Sequence, residues 1–150
     1  FSTEGMVGYS LGKKDITLFK KIVQNSFILS SITGLIISII YFLINNFVIN
    51  LMSNIEEIRN LSSSYAVWLI IMPLISSFCF QFDGIFIGVS QTKELRNAMI
   101  FSVFSYLVIS IFLTGLMGNT GVWISLCIFM ILRALSLYYY MDRIYLKFNK

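Results

Sequence analysis

The sequence predicts an all-α membrane protein, a polytopic helix bundle. Two observations carry that prediction. Of the 150 residues, 57% are hydrophobic and only 12% are charged, far less charge than a water-facing surface of this size requires. The apolar residues also fall into four long blocks, roughly 26–50, 65–89, 97–117 and 121–141. Each holds about 20 mostly apolar residues, enough to cross a hydrocarbon core of ~30 Å. In lipid only helices and closed barrels satisfy their own backbone. Barrel strands would alternate apolar and polar residues, and these blocks do not.

Residues 1–12, "FSTEGMVGYSLG", begin with Phe and lack the pattern of a secretory leader. They read as the end of a fifth helix, so the chain reads as the C-terminal part of a longer protein. The alternative is a small, complete four-helix protein. Gly12 is placed to end this helix as a left-handed cap, and Asp15 to cap the next. Over residues 13–25 Ile16, Phe19, Ile22 and Val23 share one face, opposite Lys14, Lys20 and Lys21. That pattern suits a short interfacial helix or an extension of the following span. Between the first two blocks, Ser53 and Glu56 have capping-box spacing, which places a short helix ahead of the second span. Residues 142–150 form a basic tail.

The basic residues give the chain a direction. Lys13, Lys14, Lys20 and Lys21 precede the first block, Lys93 and Arg96 separate the second and third, and Arg143, Lys147 and Lys150 follow the fourth. With four crossings these segments share one side, and the other side holds only Arg59. The positive-inside rule makes the rich side cytoplasmic, C-terminus included, in the inner or plasma membrane. The net charge of +4 therefore reports topology and contact with a lipid bilayer. It is not a nucleic-acid footprint. Cys79 and Cys127 both lie within spans, and the chain has no His, so neither a disulfide nor a zinc site is expected. No nucleophile–base pair is visible, which argues against an enzyme.

Asp83 stands out because it interrupts the second block. A carboxylate at the centre of a span costs about 2.5–3.5 kcal/mol on insertion scales, so such residues normally face a partner or a wet cavity. In helical steps Ser76, Cys79, Phe80 and Ile87 share its side. Ser77, Gln81, Gly84 and Gly88 form a neighbouring polar stripe of small residues. Gly84 and Gly88 make a GxxxG pair, a mark of close helix contact. Asp83 either binds a cation or proton during transport or pairs structurally with a basic group. Arg133, inside the last block, needs a carboxylate, carbonyls or headgroups. Glu4 is a third charged candidate. Pro73 removes a helix hydrogen bond, producing a hinge or a static kink. Tyr138, Tyr139 and Tyr140 read as an interfacial belt.

Several segments resemble, in order, the multidrug and toxic compound extrusion (MATE) transporters. "EGMVGYSLGKKD" is similar to the E-x-x-V-G-x-x-x-G-x-x-D segment closing the second helix of a lobe. "YAVWLIIMPLISSFCFQFDGIFIGVSQTKELRNAM" resembles the tenth helix and its loop, in a form like the DNA-damage-inducible F branch. "GVWISLCIFMILRAL" resembles the last helix, arginine included. The resemblance implies two lobes of six helices, of which this chain would hold the end of helix eight and all of helices nine to twelve. It implies secondary antiport of organic cations or other amphipathic small molecules against protons or sodium ions, with no resident cofactor. The missing N-terminal lobe would be the partner. Asp83 matches the acid of helix ten implicated in cation coupling, with Cys79, Gln81 and Arg133 as further cavity candidates. Some members carry Tyr where this chain has Cys79, which counts against a sodium site of that kind. In the branch resembled, the coupling aspartate is placed in the first helix, outside this chain. A lipid-linked oligosaccharide flippase and a non-transporting membrane subunit are the alternatives. Flippases of that kind line their cavity with several basic residues, whereas here Arg133 is the single intramembrane one.

Overall fold

A computed structural model describes residues 2–148. Phe1, Asn149 and Lys150, assigned from sequence to the first helix and the tail, lie outside the described residues. The described residues form five helices: α1 (Ser2–Gly12), α2 (Ile16–Met52), α3 (Glu56–Gly88), α4 (Thr92–Met117) and α5 (Asn119–Phe148). All but α1 are long and apolar enough to cross a membrane. The four expected spans are therefore present, but their helices run well past the apolar blocks.

The largest departure is at the start of α2. No glycine or proline interrupts residues 16–33, so the expected interfacial helix merges with the span into one helix of 37 residues. At 1.5 Å per residue it is about 55 Å long, far more than a ~30 Å hydrocarbon core can cover. Its overhanging first turns bury Phe19 and Ile22, leaving Lys20 and Lys21 exposed. Asp15 caps it as expected: the Leu18 N–H donates to Oδ1 at 2.9 Å. That bond to the ionised form holds the Asp15 carboxyl below the usual range.

Two other expectations are corrected. The left-handed residue after α1 is Lys14, not Gly12. Gly12 remains the last helical residue. The capping box also fails. Ser53 terminates α2 instead, with its N–H donating to the Ile49 carbonyl, and its hydroxyl accepts from Ile55 N–H. Ile55 occupies the cap of α3 without a side-chain bond, and α3 runs unbroken through Pro73. There is no separate connector helix.

The hydrophobic core sits at one end of the bundle. Val7, Phe19, Ile22, Phe82, Ile85, Phe86, Val89, Ala98, Leu137, Ile144 and Phe148 pack there. Phe19 lies tilted against Phe148 and meets Tyr145 edge-on, with ring centroids 4.9 and 5.9 Å apart. The same end gathers the basic segments. Lys147 Nζ donates to the Val89 carbonyl at 2.9 Å, Gln91 Nε2 donates to the Arg143 carbonyl at 3.1 Å, and Arg143 pairs with Glu94 at 3.2 Å. At the opposite end Arg59 ties the α2–α3 connector together through the Asn50 side chain and the Asn54 carbonyl. The charge asymmetry read from the sequence is thus also an asymmetry of the fold.

Small residues set the helix spacing. Ser30, Gly34 and Ser38, four apart on α2, are buried. A Cβ on Gly34 would come within 3.0 Å of the Pro73 carbonyl, so Pro73 lies in a tight α2–α3 crossing. Gly121, at the start of α5, is pressed against the backbone of Leu113 and Thr114 in α4.

Candidate functional site

Asp83 lies five residues before the end of α3, and Arg133 at the middle of α5. The two helices bring them together: Arg133 Nη2 meets Asp83 Oδ2 at 2.9 Å, with side chains 11% and 15% exposed. Neither charge has another of opposite sign nearby on its own helix. In a medium of low dielectric, each removes much of the cost of burying the other.

The pairing is incomplete. Asp83 Oδ1 and Arg133 Nε are buried and have no hydrogen-bond partner. A single contact uses one of the carboxylate's two oxygens and one of the five guanidinium N–H donors. Cys79, one turn before Asp83, is fully buried. On the other flank Phe80 and Ile87, three residues before and four after Asp83, are 59% and 44% exposed. The pair therefore lies at the edge of a strip of α3 that no other described residue covers.

Gln81 does not join this group. It points to α1, where Thr3 Oγ1 donates to its Oε1 at 3.1 Å and stands 3.4 Å from Ser26 Oγ. Together with Asn25 and Lys21 these residues edge a groove of about 510 Å³ that Met6, Leu18, Ile22 and Leu29 also line. The helical wheel foretells this separation, since two residues along a helix are about 200° apart. Gly84 and Gly88 also face α1. A Cβ on Gly88 would fall 2.6 Å from the Glu4 carbonyl oxygen, and one on Gly8 would fall 3.1 Å from the Gly88 oxygen. Glu4 thus stands beside this glycine crossing and not beside Asp83. Thr3 and Ser26 are not singled out by the sequence, and Gly8 stands out in it only within the E-x-x-V-G-x-x-x-G-x-x-D segment. For Gly8 the signal was its spacing of four from Gly12.

Farther along the same helix pair, Trp68 of α3 and Trp123 of α5 lie with rings nearly parallel, 5° apart in tilt, and centroids 6.5 Å apart. α3 and α5 are thus joined by an ionic level and by aromatic contacts at others, Phe82 of α3 also meeting Tyr138 of α5 edge-on with centroids 6.3 Å apart. Chemically, the ionic level offers a carboxylate that can neutralise one positive charge at a time and is already engaged.

The sequence model of the MatE family matches residues 1–116. The chain belongs to the MatE family. The match takes in Asp83 and ends before α5, so Arg133 lies beyond it. Among curated relatives, DNA damage-inducible protein F of Escherichia coli (strain K12) is 29% identical over 137 residues, which is 91% of this chain and 30% of that protein. The chain thus spans about 30% of the length of the curated MatE relative it matches. No solved structure matches it.

Proposed function

We propose that the chain is part of a secondary active antiporter that exports organic cations or other amphipathic compounds in exchange for protons or sodium ions. Membership of the MatE family supports a transporter. The observation that carries the finer reading is the Asp83 carboxylate, held inside a span at the edge of an uncovered strip and countered by Arg133 across the helix interface. A buried carboxylate is costly in lipid and suits a path for cations. The transported ion is a co-substrate here, so the reading needs no resident cofactor and no bond-making chemistry. The remaining partners are the bilayer and the N-terminal lobe of the same protein.

In the full-length protein, Asp83→Asn keeps the side-chain shape and removes the charge. Efflux of a fluorescent organic cation from vesicles, normalised to folded protein, should fall by about tenfold or more, the scale of one lost charged hydrogen bond. Its dependence on an imposed proton or sodium gradient should change as well. Unaltered rates with unaltered ion dependence would leave Asp83 a structural residue.

The same reading places the basic end of the bundle in the cytoplasm of a cell with this protein in its inner or plasma membrane. Single cysteines introduced at Ser62 and Lys147 should then differ in intact cells. The first should react with an impermeant maleimide and the second should be protected. Equal reaction at both would refute the orientation.

A further inference from the structure

We propose that Arg133 is a tethered cation that occupies Asp83 until an incoming cation displaces it. In this scheme transport exchanges one positive charge for another at a single carboxylate. The inference rests on the antiporter reading and adds to it the residue that sets when Asp83 is available.

Three observations support exchange over a permanent strut. The pair is joined by one contact of 2.9 Å, while Asp83 Oδ1 and Arg133 Nε stay buried and unpartnered. A buried ion pair repays its desolvation only when the remaining donors and acceptors are also satisfied. This pair falls short of that, so it is poorly suited to be a purely stabilising clamp. Next, the pair borders the uncovered strip marked by Phe80 and Ile87, so a cation can approach Asp83 without first separating packed helices. Lastly, an open apolar groove of about 380 Å³, lined in part by Leu74, Phe78, Met130 and Leu135, runs along the outer flank of the α3–α5 interface, so α5 is not packed against α3 on that side.

The charge balance makes the exchange obligatory. One carboxylate compensates one cation. A second positive charge beside Asp83 would face the guanidinium in a medium where like charges repel strongly. Cation binding at Asp83 therefore ejects Arg133, and α3 and α5 lose the one ion pair that joins them among the described residues. Occupancy of the site becomes helix movement through this single step.

Equilibrium binding of tetraphenylphosphonium to the full-length protein tests the inference. Arg133→Gln removes the competitor and should bind this cation at least about tenfold more tightly than wild type, the scale of one released charged hydrogen bond. Arg133→Lys keeps a competing charge and should stay close to wild type. Asp83→Asn combined with Arg133→Gln should lose the gain. Affinity in Arg133→Gln equal to or weaker than wild type overturns the exchange and makes the pair a strut. Should Arg133→Gln yield too little folded protein, Arg133 itself serves as reporter in the wild-type full-length protein. Tetraphenylphosphonium should accelerate modification of Arg133 by phenylglyoxal, followed at that residue by mass spectrometry, as the guanidinium leaves Asp83. An unchanged or slower rate overturns the exchange. Failure of the two readings is distinguishable. Wild type that transports no cation refutes the antiporter, whereas normal transport without tighter binding in Arg133→Gln refutes the exchange alone.

Discussion

Gly88→Leu is expected to leave little folded protein. At Gly88 the space for a Cβ is already taken by backbone, with the Glu4 carbonyl oxygen 2.6 Å and the Glu4 Cα 3.1 Å from where that atom would stand. Backbone cannot rotate aside as a side chain does, so α1 and α3 must separate. Separation would also pull apart Gly8 and the Gly88 carbonyl and weaken the bond from Thr3 to Gln81. Overpacking a tight core usually costs about 1–3 kcal/mol; with no compliant neighbour the loss here should reach at least the upper end. Gly115→Ala is the control, because nothing lies within 4 Å of its added methyl group and alanine suits a helix better than glycine by about 0.5–1 kcal/mol. Fluorescence-detected size exclusion and thermal melts of the full-length protein compare the two. If both variants melt like wild type, the glycine crossing does not hold α1 to α3.

Breaking the ion pair from one side should cost at least as much as the usual overpacking penalty. Arg133→Ala strands the Asp83 carboxylate in its buried position. Loss of one partner of a buried pair typically costs about 3–5 kcal/mol. Asp83→Asn should cost less, since the amide oxygen still accepts from the guanidinium. The double replacement, Asp83→Asn together with Arg133→Gln, removes both charges and should recover much of the loss. Thermal unfolding of wild type, the two singles (Asp83→Asn and Arg133→Gln) and the double closes a cycle, with a coupling of about 1–3 kcal/mol expected for groups in contact. Strictly additive singles would show that the two side chains do not meet in the folded protein.

Hydropathy made the four spans legible because lipid punishes unpaired backbone more severely than any local propensity can offset. It placed their ends less well. Residues 16–25 are amphipathic, and an amphipathic stretch looks alike whether it lies on a surface or extends a span. The deciding signal was the lack of a breaker before Gly34. Ser53 and Glu56 had the spacing of a capping box, but Ser53 was already committed to ending α2. Asp83 and Arg133 each stood out from the sequence because a charge in a span demands an explanation. That each was the other's partner was not legible, since they lie fifty residues apart and periodicity on one helix does not name the helix beside it. Gln81 was a cavity candidate beside Asp83, yet it stands on the same stripe as Gly84 and Gly88, and that stripe faces α1. Gly84 and Gly88 were legible as a contact motif, while their partners Gly8 and Glu4 came only with the fold.

Phe19, Tyr145 and Phe148 close on one another at the basic end, beside the amphipathic first turns of α2, a helix longer than a ~30 Å hydrocarbon core can cover. For buried apolar groups inside a bilayer the alternative environment is lipid, and leaving the core changes their hydration little. For this cluster the alternative is water. Its cohesion therefore carries the positive heat capacity of hydration, weakens on cooling and yields to urea. The spans do neither to the same degree. One end of the bundle thus behaves as a soluble protein joined to a membrane protein, and cold or urea should loosen the clasp between the N-terminus of α2 and the C-terminus of α5 while the spans stay inserted.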